Sequence, residues 1–329
     1  MEGAAYRPPR TERARRELRY ARPMRSAPFP VATLVAILLG AGACTGSVEG
    51  GTDASASDGG VAPRDTGARD GGAAQDASGV DGGGASDAGS DGGTTGFDCA
   101  SAVFCDDFEG ASVGGPPASP WTVSASQGAV VVDDTRAMSG SHALHVTTED
   151  GSGTYRRAYA VLSGAPVFPA VSTEMYGRMR LFLVATPTGS VHWTNIQAEG
   201  DVSGMSFRSL YRYGGQHDGR IMANYETNGV SSDCWDHSAT VMPTGRWACL
   251  EWHYRTSTDE MVLSLDGTPL DDVHVVGAGE GCGGHDTGDH WYAPVFDRLS
   301  LGWEHYQATS AREMWIDDVA IDDQPIGCD

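Results

Sequence analysis

The sequence contains no lysine, so all 22 of its basic residues are arginine, against 44 aspartates and glutamates and a formal net charge of −22. The absence of lysine excludes Schiff-base and lysine-nucleophile chemistry. The excess of acids argues against nucleic acid as a partner, because one polyanion would have to approach another. The seven cysteines include no C-x-x-C pair, which argues against zinc ribbons and thioredoxin-type redox sites.

The first 43 residues carry eight arginines against three glutamates and end in a short apolar run, 31–43. This run is too short for a membrane-spanning helix, which needs roughly 20 apolar residues. A basic stretch, a short apolar core and small residues are typical of a secretory signal. The run ends at Ala41-Gly42-Ala43-Cys44, which resembles a bacterial lipoprotein signal that lipidates Cys44. We therefore expect an exported cell-envelope lipoprotein that contacts the membrane only through its lipid. Plain secretion is the alternative, since Ala41 stands where leucine is commoner.

Residues 44–97 consist mainly of glycine, alanine, serine and aspartate. No residue between Gly50 and Gly96 is aromatic, leucine or isoleucine. Such a segment cannot bury enough apolar surface to offset its chain entropy, and its aspartates repel one another. The sequence therefore predicts a disordered tether. A calcium-binding Gly-Asp repeat would need a fixed nonapeptide period, which this segment lacks.

Residues 98–329 hold all eight tryptophans, and 12 arginines against 32 acids give them a charge of −20. Short runs of alternating apolar and polar residues are separated by glycine, aspartate, serine and proline, which predicts about a dozen strands. No stretch has the pattern of an amphipathic helix. The predicted fold class is therefore all-β, an antiparallel β-sandwich of the jelly-roll type, and we expect a monomer.

Six cysteines lie in this domain, and an even number in an exported chain predicts disulfides. The sequence leaves their pairing open among Cys99, Cys105, Cys234, Cys249, Cys282 and Cys328.

Several segments of the domain resemble the concanavalin A-like lectin/glucanase superfamily. Residues 245–252 (GRWACLEW) and 261–267 (MVLSLDG) resemble its strand, hairpin and Asp-Gly turn. Residues 104–110 (FCDDFEG) and 314–319 (MWIDDV) resemble its paired terminal strands. The resemblance covers about 104–321 and is closest to the polysaccharide-lyase-like branch, with its alginate and glucuronan lyases and fungal cellulose-induced core domain. This fold hosts lectins, hydrolases and lyases alike, so the activity does not follow from it.

The resemblance implies a structural calcium ion (Ca²⁺) near the joined chain ends, held by Glu109, Ser139 and Asp317. Calcium prefers six to eight oxygen ligands, which carboxylates, hydroxyls and main-chain carbonyls can supply. The alternative is that the acids around Glu109 form an exposed edge that keeps the terminal strand from pairing with other chains.

Two further segments resemble strands of alginate lyases. If residues 174–181 form a strand, their side chains alternate between the two faces of the sheet, and Tyr176, Arg178 and Arg180 share one face. This segment resembles the arginine-bearing strand of the alginate lyases. Residues 195–197 have the polar-Ile-polar form of the lyase Gln-Ile-His segment, although Gln197 stands where the family has its histidine. Residues 299–306 resemble the strand that carries the catalytic tyrosine, here Tyr306.

Eliminative cleavage of a uronate needs a neutraliser for the C6 carboxylate, a base for the C5 proton and an acid for the leaving oxygen. The resemblance implies Arg178 and Gln197 as neutralisers and Tyr306 as base and acid. His192, His237 and His305 are the possible partners of Tyr306, and we choose His192. The side chains expected to contact the substrate are Tyr176, Arg180, Asn195, Tyr225, Glu226 and Glu304.

The predicted partner is a polysaccharide, and an anionic one would suit a local excess of arginine. Residues 156–220 contain seven arginines and four acidic residues. This local excess of positive charge would steer an anionic sugar to these strands. The alternating arginines could equally form a solvated face with cross-strand ion pairs.

Three other functions stay open. A glycoside hydrolase needs two carboxylates across a cleft, for which Glu226 and Glu304 are the best candidates, but no Glu-x-Asp-x-x-Glu strand is present. A structural envelope protein would do neither chemistry nor binding. A non-catalytic carbohydrate-binding module would stack sugars on aromatic side chains, and those near loops are Tyr211, Tyr213, Tyr225, Trp235, Trp291, Tyr292 and Trp303.

Overall fold

The computed structural model of the protein describes residues 99–150 and 155–328. The predicted export signal, the lipidation site Cys44 and the predicted tether lie outside the described residues. Within the described part of the chain, no helix is long and apolar enough to cross a membrane.

The described residues form seventeen strands and two short 3₁₀ turns. In chain order the strands are β1 (Phe104–Asp106), β2 (Thr122–Ser126), β3 (Gly128–Asp133), β4 (Ala143–Thr148), β5 (Arg156–Ser163), β6 (Glu174–Leu183), β7 (Trp193–Asp201), β8 (Arg208–Gln216), β9 (Arg220–Asn228), β10 (Ser232–Val241), β11 (Trp247–Arg255), β12 (Glu260–Leu265), β13 (Thr268–Pro269), β14 (Val275–Val276), β15 (Gly281–His285), β16 (Val295–His305) and β17 (Arg312–Asp322). The 3₁₀ turns are Thr256–Thr258 and Asp271–Val273.

These strands form two antiparallel sheets, which confirms the predicted all-β sandwich. Sheet A has the order β13-β12-β11-β6-β17-β4-β3, with β1 paired to β17 and β14 paired to β12. Sheet B has the order β15-β10-β9-β8-β7-β16-β5-β2. The predicted pairing of the terminal strands is confirmed, since Phe104 lies opposite Ile321. The strands of the segments 245–252 and 261–267 also pair as predicted, in β11 and β12.

The core lies between the sheets and is rich in aromatic side chains. In β8, Tyr211 and Tyr213 point inward and are almost wholly buried, because alternate residues of a strand face opposite sides of the sheet. The rings of Trp193 and Trp303 stack at 5.7 Å between centroids, with only 4° between their planes. A closely packed core of this kind makes sheet B a rigid base for the side chains on its outer face.

The outer face of sheet B presents a straight row of side chains across five neighbouring strands. Residues directly opposite each other in paired strands lie on the same face. Successive pairings in β16, β7, β8, β9 and β10 align Ser300, Gln197, Arg212, Asn224 and Trp235. We call this series the central row.

Irregularities in β7 and β16 lie next to the central row. The pairing of β7 with β8 shifts between Thr194 and Ile196, and the pairing of β16 with β7 shifts between Leu301 and Glu304. Gly302 occupies the second shift with φ +146°, where a Cβ would lie 2.2 Å from the carbonyl oxygen of Ala158. Only glycine allows the strands to approach so closely here. Bulges of this kind re-aim side chains next to functional sites, and here the neighbouring residue is Glu304.

Three disulfides pair all six domain cysteines of the described chain. They join Cys99 to Cys105, Cys234 to Cys282 and Cys249 to Cys328. The prediction of disulfides is therefore confirmed. Disulfides persist in oxidising compartments, so their presence indicates an exported protein.

Candidate functional site

Arg212 lies at the centre of the outer face of sheet B and binds three polar side chains. Its Nε donates to Gln197 Oε1 at 2.8 Å. One terminal nitrogen donates to Glu226 Oε2, and the other lies 3.6 Å from Glu304 Oε1. Burial opposes the charge of Arg212, but Tyr306, Glu226 and Glu304 raise its pKa above its usual range. The guanidinium is therefore a fixed positive charge, only 4% exposed, on the outer face of sheet B. We call the surface around the central row the groove.

Glu304 accepts hydrogen bonds from two tyrosines as well as contacting Arg212. Tyr306 Oη donates to Glu304 Oε1 at 2.5 Å, and Tyr155 Oη donates to Glu304 Oε2 at 2.6 Å. Burial raises the pKa of both tyrosines above the usual range, and Glu304 adds to this effect. Arg212 opposes it at Tyr306. Both hydroxyls are therefore protonated at neutral pH and oriented by one carboxylate.

His192 lies beside Tyr306, with 5.8 Å between the ring centroids. Its backbone N–H donates to Gln307 Oε1 at 2.8 Å, which fixes the chain at this point. Burial, Arg212 and His237 lower the pKa of His192 to about 3. The imidazole is therefore neutral at physiological pH, and its Nε2 has no hydrogen-bond partner among the described residues.

The structure thus brings five of the predicted residues together on one face: Gln197, His192, Tyr306, Glu226 and Glu304. Their roles stay predictions. His237 lies further along the same face and binds Glu280 and Gln216. His305 instead accepts a hydrogen bond from the core residue Trp303 and is wholly buried.

The prediction that Arg178 lines the same groove as Tyr306 is wrong. Arg178, with Tyr176 and Arg180, belongs to β6 of sheet A, on the other side of the core. Arg178 Nη1 donates to the carbonyl oxygen of Gly327 at 3.1 Å, and Arg180 donates to the carbonyl oxygen of Cys328. These arginines bind the C-terminal segment on the outside of sheet A, so none of the three side chains can meet a substrate in the groove of sheet B.

Two predicted substrate contacts are corrected because their side chains point into the core. Asn195 is wholly buried, accepts from Trp193 Nε1 at 3.1 Å and donates to the carbonyl oxygen of Gly302 at 3.0 Å. Tyr225 is wholly buried, and its ring stacks on that of Trp291 at 5.8 Å.

Most aromatic residues considered for sugar stacking are also in the core. Buried side chains have no face open to a sugar, and these are Tyr211, Tyr213, Tyr225, Trp291 and Trp303. Trp235 and Tyr292 are only partly buried. Of the two, Trp235 stands in the central row.

The sequence interpretation missed Arg212 as the central arginine and missed Tyr155 altogether. The sequence did point to Arg212. In Tyr211-Arg212-Tyr213 the two aromatic residues are expected to face the core, so the arginine between them must face the opposite side of the sheet. Tyr155 precedes β5 and has no comparable pattern. Its hydroxyl also accepts from Arg157 Nη1 at 3.2 Å, which links a second arginine to the cluster.

The predicted excess of positive charge does not form on the groove. Of the seven arginines between 156 and 220, Arg157, Arg212 and the exposed Arg220 lie on this side, whereas Arg178 and Arg180 belong to sheet A. Arg208 pairs with two aspartates. Next to the central row, a second row of directly paired residues contains Glu199, Glu226 and Asp233. Arg212 itself is paired with Glu226 and Glu304, so the predicted local excess of positive charge is not found around it.

The predicted calcium ligands converge on the loop 138–142. Asp317 Oδ2 accepts the backbone N–H groups of Met138 and Ser139 at 2.7 and 3.2 Å. Ser139 Oγ donates to Asp318 Oδ1 at 2.6 Å. Glu109 Oε1 accepts the backbone N–H of Ser141 at 2.6 Å.

Asp317 is a wholly buried carboxylate, and burial raises its pKa to about 6. No arginine or histidine of the described chain forms an ion pair with it. Its oxygens accept three backbone N–H groups, since that of Asp318 also donates to Asp317 Oδ1 at 2.8 Å. The oxygens of Asp317, Asp318, Ser139 and Glu109 are of the kind that a hard cation such as calcium prefers.

The two antiparallel sheets define a β-sandwich of the concanavalin A-like class. The chain belongs to the polysaccharide-lyase-like family of the Cip1-like core domain, whose model matches residues 108–324. No curated protein sequence matches it.

Among solved structures, the chain is similar to the cellulose-induced protein Cip1, with 25% identity, 69% of this chain and 100% of that chain covered, and a TM-score of 0.50. The endo-β-1,4-glucuronan lyase of the fungus Trichoderma reesei matches with 14% identity, 67% and 95% coverage and a TM-score of 0.48. The alginate lyase AlyC3 matches with 10% identity, 55% and 74% coverage and a TM-score of 0.34.

Proposed function

We propose that the protein is a polysaccharide lyase that cleaves a uronate-containing polymer by β-elimination on the outer face of sheet B. The observation that carries this proposal is a connected cluster. Gln197 binds the buried guanidinium of Arg212, Glu304 lies 3.6 Å from that guanidinium and binds Tyr306, and the ring of His192 lies beside the ring of Tyr306. Elimination from a uronate requires a base, an acid and a group that stabilises negative charge, and we assign these roles to His192, Tyr306 and Arg212.

In the proposed reaction, His192 takes the C5 proton of the uronate and becomes an imidazolium. The C4–O bond breaks as the C4=C5 double bond forms, and Tyr306 Oη gives its proton to the leaving oxygen. Exchange with water then returns one proton to Tyr306 and removes one from His192. The positive charge of Arg212 stabilises the negative charge that develops in the transition state.

Gln197 is assigned to the C6 carboxylate. Its Oε1 accepts from Arg212, which turns the amide NH₂ group away from the guanidinium. A hydrogen bond from this group to the carboxylate would favour removal of the C5 proton, because it stabilises the charge that the carboxylate gains. Gln197 thus replaces the family histidine as a neutraliser rather than as a base.

Hydrolysis is the second candidate, since Glu226 and Glu304 both contact the guanidinium of Arg212. A glycosidase needs one of its two carboxylic acids to donate a proton to the leaving oxygen. Glu304, however, accepts hydrogen bonds from Tyr155 and Tyr306 and lies 3.6 Å from Arg212. These contacts make it an acceptor rather than a donor, so elimination ranks first.

A single screen separates the candidate functions. The purified domain is incubated with alginate, glucuronan, pectin and uronate-containing heteropolymers, while ultraviolet absorbance and new reducing ends are followed together. Elimination gives both signals, because the new double bond is conjugated to the carboxylate. Reducing ends without absorbance would establish hydrolysis instead. Retarded migration in polysaccharide-containing gels without either signal would establish a binding module.

We further propose that a structural calcium ion is held by Glu109, Ser139 and Asp317. A calcium ion that binds the folded chain but not the unfolded chain would raise the free energy of unfolding by mass action. It would also offset the cost of burying the Asp317 carboxylate.

Removal of calcium should therefore lower the melting temperature. We expect a loss of several degrees when a chelator is added, and recovery with excess calcium but not with magnesium, measured by differential scanning calorimetry. Asp317→Asn should remove the response to chelator, whereas the exposed Asp323→Asn should keep it. A melting temperature of the wild-type protein that does not change in chelator would rule out the ion.

The lipid anchor also remains a proposal. Cys44 would carry the lipid, and residues 44–97 would hold the domain away from the membrane as an acidic, extended tether. Labelling of growing cells with a radioactive fatty acid, with Cys44→Ser as the control, distinguishes an anchored protein from a secreted one.

A further inference from the structure

A cavity of about 340 Å³ opens on the outer face of sheet B next to the proposed reacting groups. It is lined by nine residues, of which six carry the argument: His192, Gln216, Asn224, Asp233, Trp235 and His237. We call it the Trp235 pocket. His192 belongs both to this pocket and to the proposed catalytic cluster, so a polymer bound at Tyr306 would extend into the pocket.

The position of the pocket along the central row sets its distance from the reacting groups. Asn224 and Trp235 follow Arg212 on the next two strands. Because neighbouring strands are about 4.8 Å apart, Trp235 lies about 10 Å from Arg212 along the row. This separation is close to the length of a disaccharide, so Trp235 would contact a sugar other than the uronate that is cleaved, while the His192 side of the pocket adjoins the reacting groups.

Trp235 provides a flat apolar surface in this pocket. Its indole ring lies against the backbone of strand β15, where a Cβ built at Gly281 or Gly283 would be 3.5 or 3.4 Å from the ring. Because both of these residues are glycine, no side chain covers the indole there. The half-buried ring is thus supported by a glycine strand while it lines the cavity. Aromatic rings held in this way bind the apolar faces of other flat groups, such as pyranose rings.

The polar groups around the indole are already fixed by hydrogen bonds. Asn224 Nδ2 donates to Asp233 Oδ1 and to the carbonyl oxygen of Cys234, both at 2.8 Å. Asn224 is only 1% exposed, and its Oδ1 has no hydrogen-bond partner. A buried acceptor without a partner carries a free-energy cost that a ligand hydroxyl would remove.

His237 is held in the same manner. Its two ring nitrogens lie 2.8 Å from Glu280 Oε2 and 3.1 Å from Gln216 Oε1. The pocket therefore combines amides, a carboxylate and an imidazole in a preorganised arrangement, which is suited to hydroxyl groups that both donate and accept.

The charge of the pocket excludes a uronate at this position. None of its lining residues, all within the described chain, is an arginine, and Asp233 lies directly in the wall. Glu280 stands behind His237. A C6 carboxylate placed on Trp235 would face these like charges without an arginine of the lining to pair with it. A polymer with a carboxylate on every unit would therefore be repelled here.

We propose that the Trp235 pocket is a subsite for a neutral pyranose, and that the substrate is a heteropolymer in which uronates are separated by neutral sugars. The first part stands on the pocket alone, whereas the second rests on the proposed lyase function. Arg212 and Gln197 would receive the uronate, and Trp235 would select a neutral unit about two positions along the chain.

Binding of neutral oligosaccharides tests the subsite without any need for catalysis. Titration calorimetry with cellohexaose, xylohexaose and mannohexaose should show that at least one of them binds the wild-type domain. Trp235→Ala should weaken that binding about tenfold through the loss of the stacking surface, whereas Trp235→Phe should stay within about threefold. The matched control is Trp247→Ala, because Trp247 is also half-buried but lies in sheet A.

No binding of any neutral hexasaccharide by the wild-type domain would overturn the subsite. Equal losses in Trp235→Ala and Trp247→Ala would also overturn it, since a general loss of structure would then explain both. Trp235-dependent binding together with no cleavage of any uronate polymer would leave the subsite standing and remove the lyase function.

The substrate class is tested by comparing glucuronan with gellan, whose repeat joins glucuronate to neutral sugars. We expect kcat/KM to be higher for gellan, and Trp235→Ala to lower it about tenfold for gellan while changing it little for glucuronan. Equal losses on both polymers, or a wild-type preference for glucuronan, would contradict the heteropolymer. A wild-type preference for glucuronan would contradict the heteropolymer substrate but not the lyase function, so the two proposals can be refuted separately.

Discussion

Tyr306→Phe should lower the rate of elimination by about 10²–10⁴-fold on whichever uronate polymer the wild-type protein cleaves. The substitution removes the hydroxyl that gives its proton to the leaving oxygen and leaves the ring in place. Because Tyr155 and Arg212 still contact Glu304, the cluster should keep its shape. The loss should therefore appear in kcat with little change in KM, measured from initial rates of ultraviolet absorbance.

The control for this substitution is Tyr292→Phe. Tyr292 is partly buried, and its ring packs on Phe207 and His290, away from Glu304. We expect its activity to stay within about twofold of wild type, since a surface substitution distant from the reacting atoms has a small effect. Full activity in Tyr306→Phe would remove Tyr306 from the chemistry.

Arg212→Met should lower the free energy of unfolding by about 3–5 kcal/mol, because it leaves Glu226 and the buried Glu304 without their cation. The measurement is urea denaturation followed by tryptophan fluorescence. Arg220→Met is the matched control. It lies on the neighbouring strand β9 with its side chain exposed, so we expect a change within about 0.5 kcal/mol.

A second variant separates loss of charge pairing from loss of packing. When Glu226→Gln and Glu304→Gln are already present, Arg212→Met should lower the free energy of unfolding much less, because no carboxylate is then left unpaired. An equal cost in both backgrounds would show that Arg212 acts through packing alone. A loss below about 1 kcal/mol in the wild-type background would contradict the central role given to the guanidinium.

The alternation of apolar and polar residues in the sequence predicted the all-β class and the face on which many strand residues lie. It correctly put Tyr176, Arg178 and Arg180 on one face of a strand, opposite the buried Met175 and Met179. Alternation is a local property, however, and it does not say in which sheet a strand lies. Strand β6 pairs with β11 and β17, which are distant in sequence, and these long-range pairings decided that Arg178 faces away from the groove.

The error at Asn195 has a different physical cause. Regular alternation would put Asn195 and Gln197 on the same face, but the pairing of β7 shifts between Thr194 and Ile196. This shift turns Asn195 into the core, where it bonds with Trp193. A bulge depends on the fit between neighbouring strands, so the sequence of one strand did not reveal it.

The error at Tyr225 could have been avoided. Tyr225 and Glu226 are adjacent in one strand, and adjacent strand residues face opposite sides of a sheet. Only one of them could contact a substrate on that face. The polar residue faces the groove, and the aromatic residue packs in the core. The same reasoning, applied to Tyr211-Arg212-Tyr213, would have pointed to Arg212.

The most direct test of the lyase proposal compares one polymer before and after chemical reduction of its uronate carboxyl groups. Reduction leaves the chain and its glycosidic bonds intact but removes the group that makes the C5 proton acidic. The wild-type protein should produce ultraviolet-absorbing ends from the native uronate polymer and no new ends from the reduced one. New reducing ends from both forms at equal rates, without absorbance, would contradict elimination and establish hydrolysis at Glu226 and Glu304.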